Sequence, residues 1–381
     1  MKFVLFYHAF ASCWNHGNAH FLRGVARELI RLGHHVTVYE PESGWSRINA
    51  LREDGAATAL EEAARLVPGV QVHLYRSDDL DLEYALDGAD VVIVHEWNPP
   101  ELVAALGNWR AFRGRCTLLF HDTHHRAVTA PHELARFDLD GYDGILAFGE
   151  VLREVYQSRG WGRRVFTWHE AADIAVFRPY SGVPKQADLI WVGNWGDDER
   201  TRELQDFLLE PVSRLRATAQ IHGVRYPDTV REELAQRGIK YAGWLPNHRA
   251  PAAFARARIA IHVPRRPYVE ALPGIPTIRV FEALACGIPL ASSPWDDIEA
   301  LFPPGAYLVS HDSNEMTAGL SLLLRDRSFA QELALTGLKA IRDRHTCAHR
   351  VAELLTIVGR IKAVQTDNYH DQAHQRAMVT S

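Results

Sequence analysis

The chain has 381 residues, 47% hydrophobic and 23% charged, with a formal net charge of −5. This is about twice the length of a usual single domain, so two domains of comparable size are expected. No apolar run approaches the ~18 residues that a membrane helix needs, and the charge lacks the basic excess of a nucleic-acid binder.

The four cysteines, Cys13, Cys116, Cys286 and Cys347, never form a C-x-x-C pair. That argues against a zinc ribbon and a disulfide framework and for reduced packing residues. The 20 histidines show no H-E-x-x-H or comparable ligand spacing, so no metal is expected.

The opening MKFVLFYHAF is apolar but short and lacks a following small-residue cleavage site. It reads as a buried first strand rather than a secretion signal, which predicts a cytoplasmic protein. A helix then carries Phe21, Leu22, Val25, Ala26, Leu29 and Ile30 at three- and four-residue spacing and stops at Gly33. HVTVYEP, GADVVIVHEW, CTLLFHD and YDGILAFG follow as short strands between helical stretches, the pattern of a parallel sheet covered on both faces. This predicts an α/β, Rossmann-like first domain over residues 1–168.

Residues 169–186, polar and holding Pro179 and Pro184, read as a linker. ADLIWVGNW, TAQIHGV, IKYAGWL, IAIHVP, IPLASS and AYLVS then alternate with helices as a second Rossmann-like domain over 187–345. An amphipathic helix is expected over 346–364 and a disordered polar tail over 365–381.

Ligands of open parallel sheets bind beyond the carboxyl ends of the strands, so two such domains facing each other enclose a cleft lined by strand-to-helix loops. In VGNWGDDERTREL, Gly193 and Gly196 let backbone N–H groups approach a phosphate, and Arg200 and Arg202 supply positive charge. Asp197 and Asp198 would repel a phosphate unless they cap the helix. Pro273-Gly274-Ile275-Pro276-Thr277 leads into a helix whose free N–H groups at Thr277 and Ile278 suit phosphate oxygens. Arg279 is a candidate partner there.

That helix also carries Glu282 in an apolar run. Burying an unpaired carboxylate costs several kcal/mol, so Glu282 must be partnered, solvated at the cleft edge, or reserved for a ligand. The spacing also allows a plain i,i+3 ion pair with Arg279. In the first domain, His121-Asp122, His95-Glu96-Trp97-Asn98 and the loop with His16, Gly17 and Asn18 fall at strand ends on the same rim, although a lone histidine is more often structural.

The stretches HGNAHFLRGVARELIRLGHHVTVYEP, LLFHD, WHEAADIAVFRP, VGNW, YAGWLP, FEALACGIPLASS and HTCAHRVAELL, in this order, cover nearly the whole chain. Together they resemble the GT-B glycosyltransferases of the retaining, glycogen-synthase and phosphatidylinositol-mannosyltransferase type, and within these the spore-maturation CgeB-like branch.

The resemblance implies two facing Rossmann-like domains and a nucleoside-diphosphate-sugar donor, UDP- or GDP-linked, as co-substrate with no cofactor. Transfer with retention and without a metal is implied, to a small-molecule, glycan or protein acceptor. The last helix is expected to return to the first domain. Glu282 matches the second glutamate of the E-x7-E element, which holds the donor ribose hydroxyls. The first is replaced by Gly274, and Asn194 stands where the family has an arginine. Arg200, Arg265 and Arg279 are the candidates for neutralising the diphosphate.

His121, with Asp122 beside it, matches the histidine near the reacting carbon, and Gly17 matches the turn close to the phosphates. Gly243 to Pro246, with Trp244 and Leu245, aligns with the loop beside the base. Glu299 aligns with the glutamate closing A-S-x-x-G-G-x-x-E and reads as structural. The acceptor side falls to His16, Asn18, Glu96, Trp97, Asn98 and His124. An epimerase acting on nucleotide-sugars, or a binding protein without turnover, are the rival readings.

Overall fold

In the computed structural model, residues 1–113, 115–196 and 198–379 are described, with side chains to residue 364. Seven strands build the first sheet: β1 (Lys2–Phe6), β2 (His35–Pro41), β3 (Gln71–Tyr75), β4 (Val91–His95), β5 (Thr117–Asp122), β6 (Gly144–Ala147) and β7 (Val165–Thr167). Their order is β3-β2-β1-β4-β5-β6-β7. Six strands build the second: β8 (Ala187–Val192), β9 (Ala219–His222), β10 (Lys240–Tyr241), β11 (Ala257–His262), β12 (Leu290–Ser292) and β13 (Leu308–Val309). Their order is β10-β9-β8-β11-β12-β13.

The strand pairs are parallel, as Val/Ile/Leu-rich strands buried on both faces require. The strand order reverses between β1 and β4 and between β8 and β11, so each sheet opens a crevice at those carboxyl ends. Two Rossmann-like domains are therefore present.

Two strands, β3 and β7, have no counterpart in the sequence expectation. Both are edge strands: β3 buries only Tyr75 fully, and β7 is three half-buried residues. An edge strand pairs on one side, so its composition carries a weaker apolar signal.

The first helix, Ala19–Arg31, buries Phe21, Leu22, Val25, Ala26 and Leu29. It packs against the closing helix, Cys347–Val379, whose Cys347, Val351, Leu354, Val358 and Ile361 join the same core. Gly24 sits at the crossing. A Cβ there would lie 2.4 Å from Cys347 Sγ and 2.8 Å from the Asp173 Cβ. Gly24→Ala is expected to lower stability by about 1–3 kcal/mol through overpacking, read as a drop in urea midpoint at constant m-value.

Part of the tail expected over 365–381 falls on side chains, and at 380–381 on backbone, that lie outside the described residues. The four cysteines are free and buried. Among the described residues no helix is long and apolar enough to cross a membrane.

The segment between the domains is not a loose tether. Trp168, Ala171, Ala172 and Phe177 are buried in the shared core. The Ala172 N–H donates to the His345 carbonyl at 3.0 Å, and the Cys347 N–H donates to the Ala172 carbonyl at 3.1 Å. The chain thus passes between the domains twice, with the two passages hydrogen-bonded side by side.

Candidate functional site

The carboxyl ends of β8 and β11 bring Arg200, Arg265 and Arg279 close enough that the latter two depress the Arg200 pKa, although burial is the main cause of its fall to about 9. Arg200 is buried. It donates to the Val263 carbonyl at 3.2 Å, to the Asn194 carbonyl at 3.0 Å and to Asn194 Oδ1. Its guanidinium lies over the Trp191 ring at 5.1 Å.

Gly196 has a φ of +100°, and a Cβ there would meet Arg200 Cγ at 2.4 Å, so the glycine is what lets the loop wrap this arginine. Asn194, standing where the resemblance expects an arginine, instead holds one. Its Nδ2 donates across the crevice to Asn15 Oδ1 at 2.7 Å. A Cβ on Gly193 would strike the Trp191 ring at 2.5 Å, and the Gly193 carbonyl accepts from Tyr226.

Arg202 does not join this group. Its side chain is 86% exposed, beside Asp206 at 3.8 Å. The capping role considered for Asp198 fails, since it is in the left-handed region and does not cap the short helix Thr201–Leu204; Asp197, the other residue considered, lies outside the described residues.

The helix Ile278–Ala285 carries Arg279 in its first turn. Thr277 precedes it without a side-chain cap, because its hydroxyl is bound to His262 Nε2 at 2.8 Å while His262 Nδ1 binds Ser292 Oγ at 2.8 Å. The first-turn N–H groups therefore keep no side-chain partner, the arrangement that receives phosphate oxygens. Burial lowers the His262 pKa to about 3, so His262 anchors Thr277 as a neutral ring. The sequence reading missed it.

Glu282 is 0% exposed. The i,i+3 pair forms: Arg279 Nη1 donates to Glu282 Oε2. Oε1 faces His20 Nδ1 at 3.0 Å, but that nitrogen is also 3.1 Å from the Gly17 carbonyl, and Oε1 keeps no aligned hydrogen bond. Burial opposes the charge, yet Arg279 and His20 hold the carboxyl below its ordinary range. Gly17 lies directly against this helix, since a Cβ there would be 2.6 Å from Ile278 Cγ2.

Gly274 has a φ of +89°, and a Cβ would sit 2.9 Å from both Ile298 Cγ1 and Glu299 Cγ. Gly274→Glu, which would restore the family residue in sequence, is therefore expected to destabilise the fold by about 1–3 kcal/mol, measurable by urea titration. Glu299 occupies that neighbourhood as a clasp between the domains. It accepts from the Glu150 N–H at 2.9 Å and binds His169 Nε2 at 2.7 Å. Ile275 is buried against Gly149, and Pro276 is buried beside it.

The opposing wall is rich in imidazoles. His95 Nε2 lies 3.3 Å from Asn18 Nδ2 and 3.1 Å from Thr123 Oγ1, and Asn18 Nδ2 donates to Thr123 Oγ1 at 2.9 Å. The His8 ring contacts those of His16 (centroids 4.2 Å) and His95 (4.6 Å). His121 is fully buried between His95 (5.2 Å) and Trp168 (4.9 Å), with no hydrogen bond at either nitrogen. Burial drops its pKa to about 3.

Asp122 points the other way, accepting from the His124 N–H at 2.9 Å and the Tyr156 hydroxyl at 2.7 Å. Glu96 is bound by Arg126 through its Oε2, while its Oε1 is buried without a partner. Burial, then the Asp122 charge, raises the Glu96 carboxyl.

Trp97 is 36% exposed, with the Arg126 guanidinium 3.9 Å over its ring and His124 and His16 at 5.0 and 5.9 Å. Asn98, expected on the acceptor side, is committed to the fold instead. It donates to the Phe6 and His95 carbonyls at 2.7 and 2.8 Å and accepts from Tyr75 at 3.2 Å. Glu40, not singled out in the sequence, builds the loop behind His16: it accepts from the Ala11 and Ser12 N–H groups and from the Ser12 hydroxyl. Trp244 packs with Trp14, Ala50 and Val224 across the domain boundary, and Leu245 lies against the shared core.

A family model described as "Glycosyl transferase-like" matches residues 200–356. No curated protein matches the chain in sequence. Among solved structures, the chain is similar to sucrose-phosphate synthase from Thermosynechococcus elongatus (TM-score 0.66, 12% identity, covering 96% of this chain and 100% of that one). It is also similar to HepE of Anabaena in complex with UDP (0.63, 13%, 94% and 100%). A third likeness is to T4 phage BGT in complex with its UDP-glucose substrate (0.59, 10%, 95% and 99%). The fold is GT-B.

Proposed function

We propose that the protein is a glycosyltransferase moving a sugar from a nucleoside-diphosphate sugar to an acceptor, with retention of configuration and without a metal ion. The observation that carries this reading is the grouping of Arg200, Arg265, which pairs with Glu199, and Arg279, whose charges act on one another, at the crevice of a GT-B fold where the helix Ile278–Ala285 starts without a side-chain cap. Fixed cations and oriented N–H groups stabilise the charge that develops on a departing diphosphate, the work a metal would otherwise do.

In this reading the diphosphate lies against the three arginines and the backbone at Thr277, Ile278 and Arg279, with the turns at Gly17, Gly193, Asn194, Gly274, Ile275 and Pro276 lining its path. Arg279 exchanges its hold on Glu282 for phosphate, which frees the carboxylate to accept from two vicinal ribose hydroxyls. Trp244 and Leu245 lie beside the base. UDP is the favoured diphosphate, because the similar GT-B proteins with named nucleotides hold UDP or UDP-glucose.

The sugar's reacting carbon lies toward His121, a neutral imidazole. The bond from that carbon to the leaving phosphate oxygen breaks while the bond to the acceptor oxygen forms on the same face, and the acceptor proton passes to the phosphate. Both oxygens of Asp122 and one of Glu96 are engaged within the protein, which favours this route over one with a dedicated carboxylate base. His16, Asn18, Glu96, Trp97 and His124 line the acceptor side, with Asn98 fixing the strand end beneath them. The acceptor is a small molecule, glycan or protein rather than nucleic acid, and the protein acts in the cytoplasm.

Thermal-shift titration with UDP and GDP tests the reading. A ligand at a hundred times its dissociation constant adds about 2.7 kcal/mol, enough to raise the melting temperature by a few degrees. A protein stabilised by neither diphosphate would refute it. Slow release of UDP from UDP-glucose, without a new sugar nucleotide, separates transfer from epimerisation.

A further inference from the structure

The segment joining the domains carries a carboxylate that the fold leaves unused. Glu170 is 5% exposed. Its main chain is anchored, the carbonyl accepting from Arg350 Nε at 3.4 Å. Among the described residues its carboxylate makes neither a hydrogen bond nor an ion pair. Its oxygens are not among the fully buried unpaired atoms, so a carboxyl this enclosed, engaged by no protein group, is still open to a ligand.

The charges of Glu282 and Arg279 on the donor-side helix act on the Glu170 carboxyl, and Glu170 in turn acts on the Tyr268 hydroxyl. The preceding residue, His169, is clasped by Glu299, whose Cγ fills the space over Gly274. Glu170 thus follows directly on the His169–Glu299 clasp that closes over Gly274, the position at which the resemblance expects a glutamate and the backbone admits none, and it feels the charge of the proposed ribose carboxylate.

Burial, then the Glu282 charge, pushes its carboxyl up to about 8, so a further anion is unwelcome there. A neutral polyhydroxyl group is a suitable partner, because each hydroxyl can donate to a carboxyl oxygen that no protein group engages. Among the described residues no group of His, Cys, Asp or Glu is arranged to hold a metal ion.

We propose that Glu170 binds the hydroxyls of the donor's sugar, supplying from the interdomain segment the acceptor oxygens that Gly274 cannot. The proposal rests on the nucleotide-sugar reading above and is separable from it by experiment.

The affinities of wild type and Glu170→Gln are measured by calorimetry for UDP, UDP-glucose, UDP-galactose, UDP-N-acetylglucosamine, GDP and GDP-mannose, alongside the melting temperature of the ligand-free protein. In wild type at least one sugar nucleotide is expected to bind about tenfold or more tighter than its bare diphosphate. In Glu170→Gln that ratio falls toward one while diphosphate affinity stays within about twofold, and the ligand-free melting temperature holds or rises because an unpaired buried carboxylate is gone.

Wild type that binds neither UDP nor GDP would sink the nucleotide-sugar reading itself. Wild type that binds a diphosphate but gains nothing from any sugar, or a variant that keeps the wild-type ratio, would overturn the role of Glu170 alone. A variant that fails to fold, or loses the ratio together with several degrees of melting temperature, would assign the carboxylate to the fold and overturn the proposal too.

Discussion

Lowering the pH from 7 to about 5 is expected to destabilise the folded protein steeply, read as a falling urea midpoint at pH 7, 6 and 5. Burial holds the pKa of His121 and His262 at about 3 and that of His16 at about 4, and it likewise depresses His8, His95, His124, His125, His222 and His345. In the unfolded chain an imidazole titrates near ~6.5, so below that value the unfolded state binds protons that the folded state refuses. Their contribution is fully present above the unfolded value and is lost as pH falls toward the folded ones.

Three carboxyls are raised and act with the opposite sign, Glu96 and Glu170 across the whole of that range and Asp122 over its lower part, so they offset a minority of the nine imidazoles. Each unopposed imidazole contributes up to about 1.4 kcal/mol per pH unit, and two or three of them remove a typical ~5–15 kcal/mol within roughly two to three units. A midpoint constant from pH 7 to 5 would contradict this account.

The second large effect separates two residues by the kind of loss each causes. Glu282→Ala removes the carboxylate assigned to the ribose diol. Hydrogen bonds to a charged group are worth about 1.5–3 kcal/mol, so UDP affinity should fall by about 10- to 150-fold. His121→Ala removes a ring that makes no hydrogen bond in the ligand-free fold, so diphosphate affinity should stay within about threefold while turnover falls by about a hundredfold or more.

The readout is the pair of constants: calorimetric Kd for UDP, and the initial rate of UDP release from the sugar nucleotide that wild type prefers. Unchanged UDP affinity in Glu282→Ala would assign that carboxylate to its Arg279 pair alone. Equal losses of binding and turnover in His121→Ala would assign the imidazole to packing against Trp168.

Most of the fold was legible because its signals are local. Central strands such as β4 and β5 are continuous apolar runs, and the stripe of the first helix repeats at three and four residues. The edge strands β3 and β7 were not legible, since QVHLY and VFT acquire their strand character from pairing with β2 and β6.

The same divide runs through the site. Glu282 drew notice because a charge interrupts an apolar helix, and Glu40 gives the same signal at the end of β2, where it was passed over. His20 matters through Glu282, far away in the chain, and His262 through Thr277, on the far side of the loop that follows β11. Glu170 lies in a stretch that reads as polar linker, and nothing local reveals that its side chain is buried. Asn98 shows the reverse error: a polar residue at a strand end that the fold itself consumes.

The paired passages at Ala172 and Thr346 bear on how such a molecule can open. Two crossings set far apart would lock the lobes together, and a single one would let them swivel in any direction. Adjacent and bonded to each other, they act as one hinge pin along one edge. The expected motion is a single-axis swing that parts Asn15 from Asn194 at the rim while hardly disturbing Trp168 at the pivot.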